Sequence, residues 1–245
     1  MDRQASRIPI HLPDPVTVQR SQLTAFQRYC RDRTGEALVD EADFHRFSVE
    51  KYALFWRLFL DWSGLLTEGE VHPVCEGDAC ETASFFPALR LNYAENLLRL
   101  DDGADGDRPA LTACHEGGPT ERFTRSQLRD RVEHVREGLR RLGIRPGDCV
   151  VAVAHNNAEA ILLALAVTSL GAVFSTAAPD MGAASILDRF GRLDPVLLVC
   201  NSTGPIPAGG SLEAHIVEIA AGLPSLTAIV GLDEAEPPGG LAVPF

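Results

Sequence analysis

Few residues in this chain sit where side chains could do chemistry. His155 follows the apolar run Cys149 to Ala154, and Pro179, Asp180, Met181 and Gly182 follow the run Ala172 to Ala177. Both lie just past the C-terminal end of an expected strand, where open α/β sheets hold ligands. Two readings stay open for the Pro179 to Gly182 turn: a strand-to-helix junction capped by Asp180 or a neighbour, or a ligand contact. A lone His at such a place is more often structural. Glu159, behind Asn156 and Asn157, falls in the first turn of an expected helix and favours its positive end. Asp188 and Arg189 read as a pair on a helix surface. His72, Cys75 and Cys80 are close in sequence, but a structural zinc site needs four ligands, usually with tighter Cys pairs. No metal site is expected, and the six Cys read as free thiols of a cytoplasmic protein.

Phosphate chemistry finds little support in the side chains. A triphosphate site draws on Lys or Arg, a nest of backbone N–H groups or a bound metal. Of the 22 basic residues 21 are Arg, and Lys51 is the single Lys. From Pro146 to Phe245 there are two Arg, Arg189 and Arg192, against ten acids. The chain contains no G-x-x-x-x-G-K-[ST], no G-x-G-x-x-G and no G-x-S-x-G. Its net charge of −12 argues against non-specific attraction to nucleic acid or anionic membrane. The N-terminus, Met1 to Arg7, lacks the apolar core of a secretory signal. Ala160 to Pro179 is uncharged over 20 residues, but it divides at Gly171 into a helical half and a β-branched half. It therefore reads as buried helix followed by buried strand, with no membrane span expected.

The elements that would position these residues change character along the chain. Residues 1–17, with Pro9, Pro13 and Pro15, read as an extended arm. Leu23, Phe26 and Cys30 recur at helical spacing, and Gly35 ends that run. Ser48 is expected to cap a helix whose apolar face is Tyr52, Phe55, Trp56, Phe59 and Leu60. A short helix over Leu91 to Leu100 completes an N-terminal helical cap spanning 18–100. The Asp/Gly-rich segment 101–107 reads as a linker. Beyond it, strands and helices alternate: strands at Ala110 to His115, Cys149 to Ala154, Ala172 to Ala177, Val196 to Cys200 and Leu226 to Leu232, and helices at Ser126 to Leu142, Ala158 to Leu170, Ala183 to Leu193 and Leu212 to Leu223. That alternation predicts a parallel sheet with helices on both faces over 108–245. The tail from Glu234 to Phe245 is expected to be irregular.

Several blocks, in this order and spacing, resemble the acetoacetyl-CoA synthetase branch of the adenylate-forming (ANL) acyl-CoA ligases. They are Phe47 to Trp56 (FSVEKYALFW), Phe85 to Leu98 (FFPALRLNYAENLL), Phe123 to Leu128 (FTRSQL), Leu142 to Val151 (LGIRPGDCVV), Asn157 to Glu159 (NAE) through Leu170 to Ser175 (LGAVFS), and Ala178 to Gly182 (APDMG) with Leu187 to Gly191 (LDRFG) and Asp194 to Pro195 (DP). The resemblance covers about residues 20–245. It implies an α/β fold, with a helical cap before an incomplete first α/β subdomain of the AMP-binding domain. It also implies a reaction in which acetoacetate, ATP and CoA give acetoacetyl-CoA, AMP and pyrophosphate through an acyl-adenylate. ATP, CoA and Mg²⁺ would serve the full-length enzyme, and none is expected to bind tightly to this chain alone. In that branch a segment like Val243 to Phe245 leads into the phosphate loop, so the remainder of the ligase is the expected partner and no catalytic residue is assigned here. Pro179, Asp180, Met181 and Gly182 become the candidate CoA-groove turn. One departure counts against it: Asn201 to Ser211 has no basic residue, where the family usually places Arg or Lys. The alternatives are a truncated homologue acting as a binding or assembly module, and a ligase for another small acid.

Overall fold

The computed structural model describes residues 12–77, 79, 81–100, 104–114, 120–201, 210–232 and 242–244. The chain forms two compact units, Met1–Leu91 and Asn92–Phe245.

The first unit is built on helices α1 (Pro15–Gln19), α2 (Gln22–Thr34), α3 (Glu41–Glu50) and α4 (Tyr52–Ser63). Ser21 caps α2 by accepting from the Thr24 N–H, and Gly35 ends it at φ 71°. The expected capping role of Ser48 is not what the chain does. Asp40 caps α3, Ser48 lies inside that helix, and its hydroxyl donates to the His45 carbonyl. A Ser hydroxyl in a helix interior turns back on the preceding turn. The core of this unit is aromatic. Phe26 meets Phe44, Phe55 and Phe59 edge-on, with centroids 5.8, 5.4 and 5.4 Å apart. Cys30, Leu38, Phe47 and Leu58 fill in around them. Two antiparallel pairs follow that the helical reading of 18–100 omitted. They join β1 (Glu68–Gly69) to β4 (Leu89–Arg90), and β2 (Cys75–Glu76) to β3 (Ser84–Phe85). Strands of two residues carry no periodicity from which they could be read.

The second unit opens with α5 (Tyr93–Leu98), β5 (Pro109–Ala113), β6 (Glu121–Thr124) and α6 (Arg125–Arg141). It continues through β7 (Cys149–Val153), α7 (Ala158–Ser169), β8 (Val173–Ala177), α8 (Ala183–Phe190), β9 (Leu197–Cys200), α9 (Leu212–Ala221), β10 (Ala228–Gly231) and β11 (Ala242–Pro244). Its main sheet is parallel, in the order β11-β10-β9-β7-β8. β5 does not join it. It pairs antiparallel with β6 as a separate ribbon, and β11 adds a strand in the tail expected to be irregular.

Successive side chains of a strand face opposite sides, and both sides of β7 are buried. Val150 and Ala152 pack with α5, α6 and α7, while Cys149, Val151 and Val153 pack with α8 and α9. The resulting α/β layering has helices on both faces of the sheet. Thr124 and Gln127 close a capping box at the start of α6. Asn92 ties α5 to α7: its Oδ1 accepts from the Glu95 N–H at 3.0 Å, and its Nδ2 donates to the carbonyls of Thr168 and Ser169 at 3.1 and 3.2 Å. Among the described residues no helix is long and apolar enough to cross a membrane.

Candidate functional site

The strand order contains one reversal of direction. The chain passes from β7 to its neighbour β8 on one side, then crosses to β9 on the other. The helices that follow β7 and β9, α7 and α9, pack on opposite faces of the sheet, and open parallel sheets place ligands in the crevice formed at such a point. Three segments meet at that end of the sheet: Ala154 to Asn157 after β7, Ala178 to Gly182 after β8, and Asn201 after β9.

Hydrogen bonds knit them together. The Ala154 N–H donates to the Ala177 carbonyl at 3.1 Å, and the Asn201 N–H to the Val153 carbonyl at 3.1 Å. The Asn201 Oδ1 in turn accepts from the His155 N–H at 3.0 Å. Asn201 is 6% exposed and is the single buried polar residue among the described positions. A buried amide keeps its place when hydrogen-bonded, and here it holds the β7 and β9 exits together. His155 is half-buried beside it. Asn157 caps α7 by accepting from the Ala160 N–H at 3.1 Å, with Glu159 in the first turn.

The turn after β8 places Pro179 in the interior, Met181 half-buried against the α8 and α9 side of the core, and Asp180 and Gly182 exposed. The Met181 N–H closes it by donating to the Ala178 carbonyl at 3.1 Å. Asp180 does not cap the next helix. Gly182 is the N-cap of α8, with no side-chain cap bond, so the first amides of α8 receive no side-chain acceptor. An eight-residue helix with a bare N-terminus is by itself an ordinary structural feature.

The basic residues lie elsewhere. α8 starts at the strand C-termini and runs back toward the opposite edge, carrying Arg189 in its last turn. Asp188 pairs not with Arg189 but with Arg192, at 2.9 Å and one helical turn away, and both partners are well exposed. Lys51, in the first unit, pairs with Glu36. A triphosphate therefore finds no cluster of cations at the crevice among the described side chains, and the residues present do not fit ATP phosphates. With the carboxylates of Asp180 and Glu159 beside the amides of Asn156, Asn157 and Asn201, the crevice suits an uncharged portion of a ligand better than a phosphate. Among the described residues no group of three or more His, Cys, Asp or Glu could hold a metal. Cys80 lies outside the described residues, as do residues 202–209 that follow Asn201. Asn201 is the site residue that sequence reasoning treated only as the start of a loop. Its signal was a polar amide directly ending the apolar run Val196 to Cys200.

Residues 101–241 match the AMP-binding enzyme family. The acetoacetyl-coenzyme A synthetase of Rhizobium meliloti (strain 1021) is 35% identical over 228 residues, covering 93% of this chain and 34% of that protein. A malonamoyl-CoA synthetase of Penicillium aethiopicum is 30% identical over 217 residues, covering 86% of this chain and 30% of its own. The solved structure of an acetoacetyl-CoA synthetase from Streptomyces lividans superposes with a TM-score of 0.86 at 29% identity, over 97% of this chain and 37% of that one. The chain spans about a third of the length of the curated relatives it matches. With the family match covering more than half of its residues, and the sheet order and sequence blocks in agreement, the chain belongs to the AMP-binding enzyme family.

Proposed function

We propose that this chain is the N-terminal part of an ATP-dependent acid–CoA ligase that converts acetoacetate, ATP and CoA to acetoacetyl-CoA, AMP and pyrophosphate through an acyl-adenylate. The observation that carries the reading is the 35% identity to the Rhizobium meliloti acetoacetyl-coenzyme A synthetase across 93% of the chain. In this reading the chain alone does not adenylate. Transfer at the α-phosphate needs positive charge or oriented N–H groups on the phosphate oxygens, and the cations described above are few and turned elsewhere. The remaining ligase polypeptide, in the same frame or as a separate chain, would supply them together with the sites for ATP and Mg²⁺.

The crevice at the β7, β8 and β9 exits is then one wall of the CoA groove. Pro179 sets the path of the turn, and Asp180, Met181 and Gly182 present backbone and side-chain edges to the ligand. Asn201 holds the β7 exit in place against it. The missing basic residues in 201–211 make this wall one that contacts the uncharged part of CoA, with its phosphates held by other chain. A second reading is a ligase for another small acid, favoured by the similarity to the malonamoyl-CoA synthetase. A third is a freestanding binding or assembly module.

The test is acetoacetate-dependent pyrophosphate–ATP exchange. The 245-residue chain alone is expected to show none above a heat-killed control. The chain continued in frame into the following portion of the Rhizobium meliloti relative is expected to show exchange with acetoacetate well above that with malonamate or acetate. Exchange by the chain alone would overturn the division of labour, and preference for another acid would overturn the substrate.

A further inference from the structure

Asn201 uses only half of its side-chain amide inside the protein. Its Oδ1 accepts from the His155 N–H at 3.0 Å, and because a backbone N–H can only donate, that bond fixes which end of the amide is oxygen. Its Nδ2 has no hydrogen-bond partner among the described residues. The residue as a whole is 6% exposed, yet the Nδ2 is not sealed in. Fully buried side-chain nitrogens without a partner occur elsewhere among the described residues, on Arg125 and His215. The Nδ2 therefore meets the surface as an unused donor on a side chain otherwise enclosed. The Oδ1 bond holds it in place before any ligand arrives, so little order has to be gained on binding.

This donor stands at the exit of β9, in the crevice at the C-terminal ends of the strands. The segment after β7 brings half-buried His155 and exposed Asn156 to that end, and the segment after β8 brings exposed Asp180. No Lys or Arg lies within 154–157, 178–182 or at 201. The crevice thus combines a fixed neutral donor with a carboxylate acceptor and offers no cation. A phosphate would face that carboxylate without a counter-charge. A secondary amide is matched to both groups, since it carries a carbonyl for the donor and an N–H for the acceptor.

We propose that Asn201 is a specificity-determining residue of the thiol-transfer step: its Nδ2 donates to an amide carbonyl of the pantetheine arm of CoA, while its Oδ1 holds the β7 exit beside it. The proposal deepens the CoA-groove reading above and rests on it. It names the amide-bearing arm as the part of CoA that this wall reads, and the nucleotide end receives nothing from Asn201.

Two measurements test it. In the 245-residue chain, the side-chain amide resonance of Asn201, assigned by its loss in Asn201→Asp, is followed by NMR. It is expected to shift on adding pantetheine at millimolar concentration, and not on adding ethanethiol, a thiol without amides, or ADP. No shift with pantetheine, or an equal shift with ADP, overturns the proposal. The second measurement uses the chain continued in frame into the following portion of the Rhizobium meliloti relative. Asn201→Asp keeps an oxygen for the His155 N–H and removes the donor. It is expected to raise the KM of CoA and of pantetheine alike by about 3–10-fold relative to the KM of acetoacetate, as for the loss of one uncharged hydrogen bond. A rise for CoA alone would move the contact to the nucleotide end, and equal rises for thiol and acid would make Asn201 a structural tie only; either overturns the proposal. The substrate reading fails separately: a continued chain without acetoacetate-dependent exchange, in which pantetheine still shifts the Asn201 amide, keeps the arm contact and loses the acid.

Discussion

At the scale of single residues, Asn201 concentrates the argument. Its side chain ends β9, lies buried, and accepts from the His155 N–H across 46 positions of sequence. Replacing it with Ala leaves that N–H without its acceptor at the strand exits. Asn201→Ala is expected to cost about 1–3 kcal/mol in urea unfolding. A loss within about 0.5 kcal/mol, as for ordinary surface positions, would mean the amide does not hold the two exits together. Cys30 gives a prediction with a defined sign. It lies in the aromatic core of the first unit, and burial pushes its thiol up to about 11 from an ordinary 9.0. The neutral thiol is thus favoured when folded. Its contribution to stability is full below pH 9 and is lost as the pH rises toward about 11. Unfolding midpoints in urea should fall more steeply between pH 9 and 11 for the native chain than for Cys30→Ala. Parallel slopes would show that the thiol ionises as readily in the folded state.

At the scale of elements, the helix termini show how short signatures work. The Asn92 within FFPALRLNYAENLL is a junction. One side-chain oxygen caps α5, and the amide nitrogen reaches the last carbonyls of α7. Asn92→Asp keeps the cap but removes the donor and sets a carboxylate against two carbonyl oxygens at the negative end of α7. It is expected to destabilise by about 1–3 kcal/mol, and no measurable loss would show that the α5–α7 tie contributes nothing. Thr124→Ala, which opens the capping box of α6, is expected to cost about 1 kcal/mol. Equal stability of Thr124→Ala and the native chain would mean that the end of β6, not the cap, sets where α6 begins.

At the scale of the whole molecule, the parallel sheet ends in β8 on one side and β11 on the other. Ile161 of α7, Val173 of β8 and Val217 of α9 leave apolar side chains exposed. Exposed apolar surface of this kind marks contact or aggregation sites. The isolated chain is accordingly expected to bind an apolar reporter dye. A chain without dye binding at about 100 μM would mean that this surface is covered in solution, and the reading of a part of a longer ligase would lose ground to an independent module.

Much of this architecture is written in local pattern. The 3.6-residue spacing of apolar side chains places α2, α4, α6 and α8, because one face of a helix must be buried whatever it meets, whereas α7 is apolar nearly all round and is marked by its uncharged run ending at Gly171. Runs such as Cys149 to Val153 and Leu197 to Cys200 declare strands buried on both faces, since no polar side chain interrupts them. Gly35 and Gly171 mark helix ends because only glycine takes φ near 70° cheaply. The order of the sequence blocks was enough to point to the family. Tertiary structure alone decided the strand order, and with it the crevice between β7 and β9. It separated β5 from the main sheet, since a strand's own pattern does not name its partner. It made junctions of Asn201 and Asn92. The physical reason is common to all of these. Periodicity records what lies two to four residues away, whereas a bond from 155 to 201, or from 92 to 168, exists only once distant segments have been closed against one another.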